Sequence, residues 1–125
     1  MKTVKAQQIT SAVKNLCIEA NCYLPEDMQD IIKKSCDEEP FPIAKDILKK
    51  LEEIASCEKM PICQDTGLAC VFLEIGQDLH IEGNIKEAVD EGVRQGYAEG
   101  YLRKSCVADP LRRVNTGDNT PAMLY

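Results

Sequence analysis

The apolar run Leu68–Leu73, which directly follows a short polar turn, constrains the fold more than any other feature of this sequence. An apolar run of this length, bounded by turn signals, is typical of a strand that is buried on both faces. The turn, Pro61–Gly67, brings a thiol, an amide, a carboxylate and a hydroxyl together between a proline and a glycine. We therefore predict a strand over residues 68–75 that is buried on both faces, with the polar turn at its mouth facing a cleft.

Three helices are predicted before this turn, so that about the first 60 residues are helical. Apolar residues recur close to the helical period over residues 3–22. Pro25 opens a second helix that runs to about Cys36, and a third begins near Pro42 with an apolar face that extends to Ile54. The charged outer face of the third helix is interpreted as a solvated surface.

After the strand, the sequence predicts a short second strand at residues 79–81 and a helix from about residue 85 to 104, with Asn84 as its N-cap. This helix ends on the cations Arg103 and Lys104. Its glycines recur at four-residue spacing, which predicts close packing against another helix or strand: Gly92, Gly96 and Gly100. Turn-forming loops follow, and an apolar strand begins within residues 122–125. The predicted fold class is α+β, helix-rich with a small sheet, in one domain over residues 1–125.

Composition excludes several classes of protein. The net charge is −6 and no basic block is free of acidic residues, so a nucleic-acid surface is not expected. No apolar stretch approaches the roughly 20 residues of a membrane span, and the N-terminus lacks a signal-peptide core, so we expect a cytoplasmic protein. The seven cysteines form no CxxC pair, which argues against structural zinc. Cys17 and Cys70 are interpreted as small buried hydrophobic residues.

Cys63 is the cysteine with a polar neighbourhood, and its thiolate could act as a nucleophile, a redox group or a metal ligand. A Cys–His dyad would have to use His80, which follows an apolar strand. A redox pair would need Cys57 or Cys70, which are six and seven residues away. A soft thiolate suits an iron–sulfur cluster better, although the other ligands would have to come from elsewhere.

Three ordered segments resemble the class I (iron–sulfur) fumarate hydratases and the related L-tartrate dehydratases: Pro61–Gly67, Tyr101–Pro110 and Asn115–Ala122. The resemblance implies a reversible hydro-lyase that interconverts fumarate and malate, a tricarboxylic acid cycle reaction. It also implies a [4Fe–4S] cluster, held by three cysteines, whose open iron acts as a Lewis acid on the substrate.

The same resemblance assigns roles to four residues of this chain. Cys63 is the expected cluster ligand, and Gln64 and Asp65 are expected to line the substrate site, with Asp65 also taking part in proton transfer. Arg103 is expected to pair with a substrate carboxylate, for which a bidentate guanidinium is well suited.

In that family the other cluster cysteines lie downstream, and further site residues belong to a separate domain or beta subunit. The chain is therefore expected to be the N-terminal part of an alpha subunit or catalytic domain. We expect it to be inactive alone and to associate with the C-terminal portion and the beta component in a homo- or hetero-oligomer.

Two other interpretations stay open. The chain could be a non-catalytic assembly or regulatory module that retains the fold, or a redox sensor centred on Cys63. Taken singly, Asp65–Gly67 is an ordinary Asx-turn sequence and Arg103 is a helix-end cation. Their joint order favours the hydro-lyase, while the choice between fumarate/malate and tartrate stays open.

Overall fold

The structure, a computed structural model, describes residues 2–57, 60–63 and 65–125 and confirms the α+β fold class. Its elements in chain order are β1 (Lys2–Lys5), α1 (Ala6–Cys22), α2 (Glu26–Glu38), α3 (Pro42–Cys57), β2 (Cys70–Val71), β3 (Leu79–Glu82), α4 (Ile85–Glu99) and β4 (Met123–Leu124). The chain divides into two compact units, one made of residues 1–18 and 65–125 and the other of residues 19–64. No helix in the described ranges is long and apolar enough to cross a membrane.

The unit of residues 19–64 contains the helical hairpin of α2 and α3, both of which the sequence predicts. Glu26 and Asp27 occupy the first turn of α2, where acidic side chains favour the positive end of the helix dipole. The buried Cys36 thiol contacts the carbonyl oxygen of Lys45 at 3.7 Å and so joins α2 to α3. The apolar face of α3 is only partly covered, because Ile43 is 79% exposed.

The other unit begins with a strand where the sequence analysis predicted a helix. β1 pairs in parallel with β3, with Lys2 opposite Leu79 and Lys5 opposite Glu82. The prediction of helix from residue 3 is therefore wrong for the first residues, because pairing with a distant segment supplies their backbone hydrogen bonds. The predicted second strand at residues 79–81 is confirmed as β3.

The core of this unit lies between α1 and α4. Val89 and Val93 on α4 are fully buried. A Cβ atom at Gly92 would lie 2.7 Å from the carbonyl oxygen of Thr10, and one at Gly96 would lie 2.8 Å from the Cβ of Cys17. The predicted close approach at the glycine series is confirmed, and the partner is α1, where Cys17 is buried as expected.

The segment 68–75 is less buried than the sequence predicts. Its regular strand, β2, covers two residues and pairs in parallel with β4. Cys70 is exposed and Phe72 is 79% exposed, so the prediction of burial on both faces is wrong, as is the interpretation of Cys70 as a buried hydrophobe. The reason is that the described residues leave the face bearing these two side chains uncovered.

Helix α4 begins as predicted and ends earlier than predicted. The Asn84 side chain caps it by accepting a hydrogen bond from the backbone N–H of Glu87. The helix ends at Glu99, because Gly100 caps it and Tyr101 adopts a left-handed backbone with φ of 53°. Arg103 therefore lies beyond the helix, and the prediction that it is a helix-end cation is wrong.

Candidate functional site

The turn before β2 has the geometry of an Asx turn. The Asp65 carboxylate oxygen Oδ1 accepts a hydrogen bond from the backbone N–H of Gly67 at 3.3 Å. Gly67 has φ of 63°, a left-handed conformation that glycine adopts readily. Asp65 is exposed, and its second carboxylate oxygen has no partner among the described residues. The turn thus presents a carboxylate to solvent on a fixed backbone.

Two hydroxyl groups hold this turn against neighbouring segments. Thr66 Oγ1 donates a hydrogen bond to the carbonyl oxygen of Arg103 at 2.7 Å. The phenolic hydroxyl of Tyr97, a residue of α4 that is only 2% exposed, donates to the carbonyl oxygen of Thr66 at 3.0 Å. The turn is therefore connected both to the core helix and to the segment that carries Arg103.

Asn119 connects the same turn to a third segment. Its side chain is fully buried, and Oδ1 accepts hydrogen bonds from the backbone N–H groups of Ser105 at 2.7 Å and Cys106 at 2.9 Å. Its Nδ2 donates to the carbonyl oxygen of Gly67 at 3.1 Å. Residues from all three of the segments singled out in the sequence therefore meet at one amide side chain.

The segment 106–116 is a short hairpin closed by its own polar side chains. Ala108 N–H donates to the carbonyl oxygen of Val114 at 2.8 Å. The Asp109 carboxylate accepts the backbone N–H groups of Leu111 at 3.0 Å and Arg112 at 2.7 Å. At the base of the hairpin, Asn115 Nδ2 donates to the carbonyl oxygen of Lys104 at 2.7 Å. Asp109 and Asn115 thus satisfy backbone groups and shape the loop beside Arg103.

Helix α4 fixes the beginning of the final loop through an ion pair. The Asp118 carboxylate accepts hydrogen bonds from the Thr120 hydroxyl at 2.7 Å and from Arg94 Nε at 3.0 Å. The hydrogen bonds from Thr120, together with Arg94, lower the pKa of Asp118 from 3.8 to about 2. Asp118 is therefore ionised at neutral pH and serves as a structural anchor.

A second carboxylate of α4 fixes the end of the same loop. The Asp90 carboxylate accepts the backbone N–H of Ala122 at 2.8 Å, and Lys86 Nζ donates to the Ala122 carbonyl oxygen at 3.0 Å. Lys86 and Asp90 also form an ion pair at 2.6 Å. Both ends of the loop that carries Asn119 are therefore held on α4.

The structure brings together the segments of two of the four residues that the resemblance assigned to the site. Arg103 is exposed, and its guanidinium has no partner among the described residues. Asp65 and Arg103 belong to segments that the network brings together. Cys63 is an exposed thiol in the other unit, and Gln64 lies outside the described residues. Within the described ranges, no three or more His, Cys, Asp or Glu side chains are grouped so as to hold a metal ion.

Sequence reasoning missed the residues that build this network. Tyr97 lies four residues after Val93, on the buried face of α4. This helical spacing predicts that Tyr97 is buried, but it does not predict which group its hydroxyl bonds. Asn119 has φ of 62°, and asparagine is one of the few residues that tolerate this conformation. Its position in a turn sequence was visible, whereas its three partners were not.

Comparison with known proteins assigns the chain to a family. Residues 10–125 match the profile of the family described as fumarate hydratase (fumerase). This chain belongs to the fumarate hydratase family. The resemblance seen in the three sequence segments is thereby confirmed, and the family is one of hydro-lyases.

Relatives within the fumarate hydratase family carry two kinds of name. A Methanocaldococcus jannaschii protein assigned as an L(+)-tartrate dehydratase subunit alpha is 37% identical over 123 residues, which cover 91% of this chain and 43% of that protein. The L(+)-tartrate dehydratase subunit alpha of Escherichia coli K12 is 26% identical over 122 residues, with 95% of this chain and 40% of that protein covered. The anaerobic class I fumarate hydratase of the same strain is 39% identical over 74 residues, covering 58% of this chain and 14% of that enzyme. The chain thus spans less than half the length of these relatives.

Proposed function

We propose that this chain supplies part of the substrate and cluster site of a hydro-lyase that reversibly hydrates a four-carbon unsaturated dicarboxylate, with fumarate and malate as the substrate pair. The observation that carries the proposal is the hydrogen-bond network through Thr66, Tyr97 and Asn119. This network ties the turn of Asp65 to the segment of Arg103. Two exposed charged groups, a carboxylate with one oxygen that has no partner among the described residues and a guanidinium with none there, suit an anionic substrate that must also exchange a proton.

The charged side chains divide the work of substrate binding and proton transfer. The Arg103 guanidinium binds one substrate carboxylate through two parallel hydrogen bonds, which fix the orientation of the substrate as well as its position. The Asp65 carboxylate takes part in moving the proton at the carbon next to the one that bears the hydroxyl group. Gln64, the residue before Asp65 in the sequence, contributes a hydrogen-bonding amide to the same substrate.

Cys63 is the residue of this chain that would hold a [4Fe–4S] cluster. Its thiol is exposed, and a thiolate is the ligand that such clusters prefer. Because the described residues contain no group of three or more metal-binding side chains, the remaining ligands would come from outside this set. When bound, the cluster supplies a Lewis acid that polarises the substrate oxygen atoms.

The expected partners follow from the same argument. Cys63 is the one cysteine of this chain that the resemblance assigns to a cluster held by three, so this chain alone should be inactive, and we include the C-terminal portion of the subunit and a beta component in the active assembly. The two tartrate dehydratase relatives are named as alpha subunits, which supports a separate beta partner. Cys63 and Cys70 are exposed free thiols, which supports a reducing compartment such as the cytoplasm.

L(+)-Tartrate is the second candidate substrate. The relatives named for tartrate dehydratase match 91% and 95% of this chain, whereas the class I fumarate hydratase match covers 58%. Tartrate carries the same two carboxylates, so the role of Arg103 is the same for both substrates.

The experiment compares two arginine variants of the assembled enzyme, in which this chain is produced with the remaining portion and the beta component. Arg103→Lys removes the bidentate donor, so KM for the dicarboxylate should rise by about tenfold or more. Arg112→Lys makes the same change at another exposed arginine and should leave both kcat and KM unchanged.

Malate, fumarate and L(+)-tartrate are each supplied to the wild-type assembly. Turnover of one of them, with the selective effect of Arg103→Lys, supports the proposal. Absence of turnover with all three would contradict it and favour the non-catalytic assembly module.

A further inference from the structure

The buried amide of Asn119 meets two chemical requirements that few residues meet together. Its backbone has φ of 62°, in the left-handed region where asparagine and glycine are tolerated best. Its side chain accepts two backbone N–H groups on Oδ1 and donates to a carbonyl oxygen from Nδ2. Glycine would satisfy the backbone and leave all three partners without this hydrogen bond, whereas aspartate could not donate.

The partners of this amide lie beside the two charged groups of the proposed site. Gly67, whose carbonyl oxygen accepts from Nδ2, is two residues after Asp65. Ser105, whose N–H donates to Oδ1, is two residues after Arg103. A shift of either segment relative to Asn119 would therefore move a carboxylate or a guanidinium.

The amide bridges these two segments, and a hydrogen bond between described residues joins them directly: the Thr66 hydroxyl donates to the Arg103 carbonyl oxygen at 2.7 Å. Two connections at different points restrict both the separation and the relative rotation of two backbone segments more than one connection would. The Asn119 amide has 0% exposure, so water does not compete for its bonds.

We infer that Asn119 is a positioning residue of the hydro-lyase reaction, which sets the spacing between the Asp65 carboxylate and the Arg103 guanidinium. This inference rests on the proposed function. Asn119 itself does not touch the substrate; it acts through the two backbone segments that it joins. Misplacing a reacting group by about 1 Å can lower a rate by roughly a hundredfold. A buried amide that positions two such groups can therefore control turnover without contacting the substrate.

The test is Asn119→Asp in the assembled enzyme. Aspartate has nearly the same shape and still accepts the N–H groups of Ser105 and Cys106, but it turns an oxygen toward the carbonyl oxygen of Gly67. We expect kcat/KM for the dicarboxylate to fall by about tenfold or more, with KM raised through Arg103 and kcat lowered through Asp65. Asn84→Asp is the matched control, because aspartate caps a helix as well as asparagine does, and its constants should equal those of the wild type.

A second variant covers the case in which Asn119→Asp does not fold. Thr66→Val removes the hydroxyl of the other connection at a half-buried position, and it should also raise KM and lower kcat. Thr66→Ser keeps the hydroxyl and should restore both constants. Because valine keeps the shape of threonine and serine keeps its hydroxyl, this pair of variants shows whether the constants depend on the hydrogen bond or on the shape of the side chain.

Three results separate the inference from its alternatives. If Asn119→Asp lowers the melting temperature while kcat and KM per intact site stay at the wild-type values, the role is only structural and the inference is wrong. If Asn119→Asp does not fold and Thr66→Val retains the wild-type constants, the inference is also wrong. If the wild-type assembly turns over none of the three substrates, the proposed function fails, and the inference fails with it.

Discussion

Substitution of Gly92 by alanine should destabilise the unit that carries the candidate site. The new Cβ atom would lie 2.7 Å from the carbonyl oxygen of Thr10 and 2.7 Å from the Cβ of Val13, both on α1. Overpacking of this kind costs about 1–3 kcal/mol, and the upper end applies because a backbone carbonyl cannot move without moving the helix. Alanine recovers about 1 kcal/mol of helix propensity. The net loss in the free energy of unfolding is therefore about 2 kcal/mol.

The assay is urea and thermal unfolding of the 125-residue chain, followed by circular dichroism. A loss of about 2 kcal/mol corresponds to a fall of roughly 8 °C in the melting temperature of a domain of this size. Gly76→Ala is the matched control, because a Cβ atom there would meet nothing within 4 Å. The control should be neutral or slightly stabilising. A Gly92→Ala protein as stable as the wild type would refute the argument that the glycine is required by the approach of α1 to α4.

Two further predictions concern titration and thiol exposure. Because folding lowers the pKa of Asp118 from 3.8 to about 2, chiefly through the Thr120 hydroxyl, its ionised form stabilises the fold above about pH 4, and this contribution is lost as pH falls toward 2. Asp118→Asn should therefore reduce the loss of stability between about pH 5 and about pH 3, measured as the urea midpoint, and an unchanged pH dependence would contradict this reasoning. In native protein pulsed with iodoacetamide and mapped by mass spectrometry, the exposed Cys63 and Cys70 should react at similar rates, and much faster than the buried Cys17, whose pKa is raised by burial. Reaction at Cys63 alone would instead favour the redox-sensor interpretation.

Local sequence signals predicted the parts of the fold that depend on local physics. Helices α2 and α3, the Asn84 cap and the close approach at Gly92 follow from periodicity, capping chemistry and the absence of a side chain. The strand at Lys2–Lys5 did not, because its pairing depends on residues 79–82, far along the chain. The exposure of Phe72 was not predicted for a related reason. An apolar strand indicates that another layer packs on it, but the sequence of the strand does not show which residues form that layer.

For the candidate site, the order of the three segments was sufficient to predict the family, which the comparisons confirm. The roles of Cys63, Gln64, Asp65 and Arg103 stay predictions. The connection through Asn119 was not predictable, because its hydrogen bonds span 52 residues to Gly67 and 13 to Cys106. Each partner is a backbone group, which leaves no signature in the identity of the residue.

The measurement that tests the central claim most directly is anaerobic iron–sulfide reconstitution of the assembled enzyme with Cys63→Ala and, separately, Cys70→Ala. Both cysteines are exposed thiols, so the two variants differ in position and not in chemistry. The account predicts that Cys63→Ala abolishes both the visible absorption of the cluster and the turnover of dicarboxylate, while Cys70→Ala keeps both. A Cys63→Ala assembly that binds the cluster and turns over substrate like the wild type would contradict it.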